Sequence, residues 1–186
     1  EYRTHAQLLA LVAPRQAGDM ARSLLADERI AGFMPRWPVV GGSPDVMVGD
    51  PATPFLADLA AFGAKSINVR AALAAAVHGA ASNGVDDEAP TALLATMGAE
   101  TLGGGYYVER PGNTAYLARH YLPAELDATT NVTGGEVLLL SGDLVWGSVS
   151  TSLEYASADF AVSRLAAAAH DRSTERRFLE RAAWWR

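Results

Sequence analysis

Apolar residues recur along this chain at helical spacing, and the runs are separated by proline- and glycine-rich stretches. Between residues 4 and 12, Leu8, Leu9, Leu11 and Val12 stop at Pro14, the pattern of a helix end. Residues 15–26 place Ala17, Met20, Ala21, Leu24 and Leu25 at the i, i+3, i+4 recurrence of an amphipathic helix. From residue 30 to 54 the period is lost and Gly32, Pro35, Pro38, Gly41, Gly42, Pro44, Gly49 and Pro51 accumulate, so a loop is expected. Residues 53–62 predict a helix, with Thr53 as N-cap, Pro54 in the first turn and Gly63 at the exit. Asn68 is expected to cap another, running to about Ala81.

Residues 82–105 are less regular; a helix over 90–102 is expected, broken by Gly103, Gly104 and Gly105. Residues 106–123 alternate aromatic and polar positions around Pro111 and Gly112. Residues 133–146 contain Val137, Leu138, Leu139 and Leu140 between glycine pairs and serine, and predict one short β-hairpin, the single strand signal. Two further helices are expected over 150–170 and 173–185, joined by a short polar turn. Alanine crowds the helical runs and is the best helix former, because it loses no side-chain entropy on ordering. Successive helices with little strand signal predict an all-α fold, and their helix-loop-helix order suits a helical toroid.

The 186 residues are enough for one domain with a real core. A formal charge of −6 and a pI near 5.1 argue against a nucleic-acid partner. The basic cluster of Arg164, Arg172, Arg176, Arg177 and Arg181 is interleaved with acids and reads as a solvated helix face. The absence of cysteine excludes disulfides and thiolate metal sites. No apolar run is long enough to predict a membrane-spanning helix. The start at Glu1 and the adjacent Trp184 and Trp185 lead to the expectation that both ends are cuts within a longer polypeptide.

The segment from Gly147 to Phe160 carries the most chemistry. On a helix, Glu154 shares a stripe with Ala158, Ala161 and Leu165, at the start of an apolar face. Carboxylates against apolar walls tend to keep their proton, as a general acid requires. The competing reading is a capping box, in which Thr151 is the N-cap and the glutamate reaches back to its amide. Asp159 lies off the stripe and reads equally well as a surface acid. Asp50 follows Gly49, where backbone can approach a ligand closely, or it makes an Asx turn before Pro51. Trp37 is either a sugar-stacking platform or a loop anchor, and His5, His78, His120 and His170 show no ligand spacing.

Read in order, these segments resemble the glycoside hydrolase family 92 α-mannosidases. The stretch from Gly32 to Pro38 resembles the family's Gly-Leu-Pro-x-Trp loop, and Met47 to Asp50 its Met-x-Gly-Asp loop. Tyr2, Arg3, Thr4 and Gln7 resemble the helix after the family's Trp-Asp motif. Arg110-Pro111-Gly112 with Tyr116 and Tyr121 matches a further stretch, and Ser150 to Phe160 matches the Thr-Leu-Glu-Tyr-Ala-x-x-Asp helix. Residues 82–105 and 126–144 depart from the pattern and look like insertions.

The resemblance implies that residues 1–186 form part of an (α/α)6 catalytic barrel, with a β-sandwich before it and the rest of the barrel after it. It implies inverting exo-hydrolysis of terminal α-linked mannose from glycans, calcium dependence, and a secreted or cell-envelope location. Glu154 would be the general acid, and Arg3, Trp37 and Asp50 are substrate-binding candidates. The general base and the calcium ligands would lie beyond Arg186, so no metal ligand is assigned within the chain and the chain alone is expected to be inactive. Another glycosidase on a helical toroid, or a non-catalytic helical sugar-binding module, are the rival readings.

Overall fold

The computed structural model describes residues 2–36, 48–81, 109–126 and 147–186, and every regular element among them is helical. The α-helices are α1 (His5–Val12), α2 (Pro14–Ala31), α3 (Ala52–Ala61), α4 (Val69–Ala81), α5 (Asn113–Arg119), α6 (Ser148–Ala168) and α7 (Arg172–Arg181), with a 3-10 turn at Ala124–Leu126. The expected hairpin over 133–146 and the helix over 90–102 lie outside the described residues.

The long helix α6 organises the packing: α3, α4 and α7 all lie against it, while α1 and α2 pack on one another and on α3. Two adjacent stripes of α6 are buried. One runs Ala158, Ala161, Leu165, and the other Thr151, Tyr155, Asp159, Val162, Ala166. A helix covered on so wide a face is central and has little amphipathic contrast. The core around it is built mostly of alanines, Ala72, Ala75, Ala76 and Ala80 on α4 and Ala6, Ala10, Ala17 and Ala21 on α1 and α2 behind α3, with Leu56, Leu59 and Phe178 filling between them. Small side chains let helix axes approach closely, and dispersion contacts accumulate along the seams. A second cluster joins Tyr116, Leu122 and Tyr155 to Trp184, which also stacks on His120 with ring centroids 4.0 Å apart. Trp184 therefore finds its partners within the chain, whereas Trp185 is 59% exposed.

Several helix ends differ from expectation. Helix α2 runs on to Ala31. Thr53 does not cap α3: it is buried inside the first turn, and its amide donates to Asp50 Oδ1 at 3.3 Å. Asn68 does cap α4, accepting from the Ala71 amide at 3.1 Å. Helix α7 starts from Asp171, whose carboxylate accepts from the Thr174 amide and the Ser173 hydroxyl. Those bonds, Thr174 first, hold its pKa down to about 2.

Candidate active site

Helix α6 begins at Ser148 with Gly147 in the N-cap position, so Thr151 already lies inside the first turn. Its amide donates to the Gly147 carbonyl at 2.9 Å. The capping box is thus not formed, because the amide that Glu154 would have served is already taken by the helix itself. The Glu154 carboxyl turns instead to the N-terminal segment: the Tyr2 hydroxyl donates to Oε2 and the Arg3 guanidinium to Oε1. The purely apolar surround expected for this carboxyl is replaced by two donors, and its side chain keeps 20% of its surface exposed.

Three segments hold this corner. The loop at Gly49 lies directly on Glu154: a Cβ built there would sit 2.6 Å from Glu154 Cβ, and the glycine has φ +89°. No side chain fits, and L-residues disfavour that backbone conformation in any case. Arg36 Nε donates to the Gly49 carbonyl at 3.1 Å, and its Nη2 to the Glu109 carbonyl at 3.0 Å, pinning the loop from behind. On the other side, Gln7 Nε2 donates to the Tyr2 carbonyl at 2.8 Å and also to Asp58 of α3, which fixes the backbone carrying Tyr2. Burial, with the hydrogen bond to Glu154 second, pushes the Tyr2 phenol well above its ordinary pKa, so it remains a donor. Gly49→Ala is expected to push the loop or Glu154 aside, costing about 1–3 kcal/mol of stability and most of the activity. Thermal unfolding and an assay on the same sample check it; unchanged values for both would contradict the close approach.

Asp50, one residue on, points away from Glu154 into the protein. Its Oδ2 accepts from Arg110 Nη2 at 2.8 Å and Nε at 3.1 Å. Arg110 Nη1 donates to Asp159 Oδ1 at 2.7 Å, and Arg181 grips the same carboxylate through Nε at 2.9 Å and Nη2 at 3.1 Å. The Tyr116 hydroxyl reaches Asp159 Oδ2 at 3.3 Å. Arg110 and Asp159 are fully buried, and Asp50 nearly so. Burial opposes the Arg110 charge, but Asp159 and Asp50 outweigh it and hold the guanidinium above its usual pKa. For Arg181, burial is the larger influence and lowers the value, with Asp159 opposing it. Arg181 is therefore not part of a solvated face, and Asp159 is not a surface acid; each is satisfied by the other.

Glu109 lies beside this network. Its Oε2 accepts from the Met34 amide at 3.0 Å, and its carboxyl rests on Gly79, where a Cβ would come within 1.9 Å of Oε1. Burial first, then the charge of Asp50, raise its pKa well above the carboxylate range.

Of the residues singled out by sequence, Glu154 and Arg3 are brought together and Asp50 lies one residue from the Gly49 contact. Trp37 lies outside the described residues. Sequence reasoning assigned no site role to Tyr2, Arg36, Arg110 or Arg181, and it left Asp159 open. Asp159 had a usable signal: it shares a helical stripe with Tyr155, Val162 and Ala166. As to calcium, Asp50 and Asp159 have their oxygens turned to guanidinium groups, and among the described residues no group of three His, Asp or Glu side chains is arranged to hold a metal ion. That donor set does not fit a calcium site, which wants oxygens free of competing cations.

An apolar groove of about 1210 Å³ runs from Tyr2 and Arg3 along α3, α6 and α7, past Leu153 and Phe160, to Trp185. No helix among the described residues is long and apolar enough to cross a membrane.

The model of the glycosyl hydrolase family 92 catalytic domain matches residues 1–186, and the chain belongs to that family. Among solved structures, a family GH92 inverting mannosidase from Bacteroides thetaiotaomicron matches with a TM-score of 0.68 at 19% identity, over 97% of this chain. At that identity the likeness is one of fold, and the chain spans 19% of the matched structure. No curated protein matches.

Proposed function

We propose that this chain is the acid-bearing part of an inverting exo-α-mannosidase, and that Glu154 is its general acid. The observation that supports it is the presentation of the Glu154 carboxyl: it is released from any capping role and held at the junction of α6, the Gly49 loop and the Tyr2–Arg3 segment. Groups converging from separate inter-helix segments are what an exo-acting pocket needs at its mouth. Family membership and the mannosidase named for the matched fold supply the substrate class.

In this reading the protonated Glu154 delivers its proton to the glycosidic oxygen as the C1–O bond breaks. A base on the opposite face of the sugar, about 6.5–9.5 Å away, activates water. That base and the calcium ligands belong to parts of the polypeptide outside this chain, which itself forms part of an (α/α)6 barrel. Arg3 contacts the sugar side of the acid, Trp37 remains with it as a substrate-binding candidate, and Asp50 acts on the substrate side through the loop it anchors. The direct bonds of Asp50 to Arg110 support an indirect role for it, through the placement of Gly49. Mannose-bearing glycans as substrate fit a secreted or cell-envelope enzyme.

Proton NMR of the complete catalytic domain acting on an α-mannoside tests the reading. β-Mannose should be the first anomer to appear, with release stopped by EDTA and restored by calcium. α-Mannose as the first product would rule out inversion, and a failure to release mannose at all would remove the proposed activity.

A further inference from the structure

We propose that Tyr2 is the positioning residue of the acid, its hydroxyl fixing the catalytic proton on Oε1 of Glu154. The inference rests on the reading of Glu154 as general acid and goes beyond it by assigning the two oxygens different tasks. The Tyr2 hydroxyl donates to Oε2, and the Arg3 guanidinium donates to Oε1. The phenol occupies the lone pair of Oε2 that faces it, and the Gln7 bond to the Tyr2 carbonyl at 2.8 Å holds the backbone that carries the ring. Burial and the adjoining carboxylate keep the phenol a neutral O–H donor. Oε1, whose partner Arg3 is exposed and can withdraw, is the oxygen left to take up the proton and turn it to the substrate.

The two donors differ in their freedom. The Arg3 side chain is 63% exposed and stacks over the Tyr2 ring, its guanidinium carbon 4.6 Å from the centroid. Tyr2 is half-buried and packs against the main core. Arg3 can leave Oε1 when that oxygen is protonated and the glycosidic oxygen approaches, whereas Tyr2 stays. In the transfer, the Oε1–H bond breaks and an O–H bond forms on the glycosidic oxygen. The C1–O electron pair passes to that same oxygen, which departs as a neutral alcohol. The carboxylate left behind is the anion that the two donors are arranged to hold, as charge-assisted hydrogen bonds are stronger than neutral ones.

Tyr2→Phe in the complete catalytic domain removes the donor while keeping the ring, its packing and the Arg3 stack. Turnover of an alkyl mannoside, whose leaving group needs a proton, should fall about tenfold, with KM little changed. A dinitrophenyl mannoside, which leaves without protonation, should be turned over at close to the parent rate. In a Glu154→Gln background, Tyr2→Phe should cost nothing further, since the two groups act as a unit. Equal losses on both substrates, or an additive loss in the double variant, would overturn the positioning role. If Glu154→Gln itself fails to separate the two substrates, it is the assignment of the acid that falls.

Discussion

Glutamine at position 154 should lower turnover of an alkyl mannoside by about 10²–10⁴-fold, the range that general acid catalysis supplies. Glu154→Gln keeps the length and shape of the side chain, and its amide carbonyl still accepts from Tyr2 or Arg3, so the local packing survives. What it lacks is a proton to give. The loss should shrink to a few-fold on a dinitrophenyl mannoside, because that leaving group is stable as an anion. Thermal stability should move by less than about 1 kcal/mol, since no capping bond depends on Glu154. A variant that matches the parent on the alkyl substrate would remove Glu154 from the chemistry. A variant that loses stability and keeps its rate would return it to a structural role.

The second large effect concerns Arg110, and here it is stability that changes. Arg110 lies between two buried carboxylates and, among the described residues, gives Asp50 its side-chain donors. Arg110→Met keeps the length of the chain and removes the charge. Asp159 retains Arg181 and Tyr116, whereas among the described residues Asp50 keeps the Thr53 amide alone. Breaking one side of a buried pair costs about 3–5 kcal/mol, because the orphaned charge has no water to turn to. Thermal unfolding of the catalytic domain should show a large fall in Tm. Adding Asp50→Asn should recover part of it, since the orphaned charge is then gone. A single variant as stable as the parent would mean that the ion pairs contribute nothing, and a double variant worse than the single would place the cost elsewhere.

Local signals gave the helices that are capped or punctuated in sequence. Asn68 announces α4, Pro54 lies in the first turn of α3, and the apolar recurrence from Ala17 to Leu25 lies within α2. Helix α5 was hidden, since its 7 residues lie in a stretch where aromatic and polar positions alternate around Pro111 and Gly112. Its stability is tertiary: Tyr116 inserts between Tyr155 and Trp184, which no local period reveals. Thr53 suits the cap of α3 by residue type, yet the N-cap position falls on Pro51 and Asp50 accepts from the Thr53 amide, an arrangement that only the fold selects. Among the charges, period alone placed Glu154 on the right face. It left Asp159 open and took Arg181 for a solvent residue, since burying a charge depends on a partner from a distant segment. Arg110 and Asp159 are 49 positions apart, and sequence spacing carries no trace of such a bond.

The clamp around the end of α4 bears on how this protein can vary. The Ala80 carbonyl accepts from Arg181 Nη1 at 3.1 Å and from Asn113 Nδ2 at 3.3 Å, while the Glu109 carboxyl rests on Gly79. The chain thus departs after Ala81 and re-enters at Glu109 through a single fixed gateway. Whatever lies between has its two ends already joined by contacts that belong to the scaffold. The points at which the described chain leaves and returns are thus tied to the same network that holds Arg110. A designer who joins a different span between these two points has Gly79 and Glu109 as the natural splice positions, since the contact between them is already part of the scaffold.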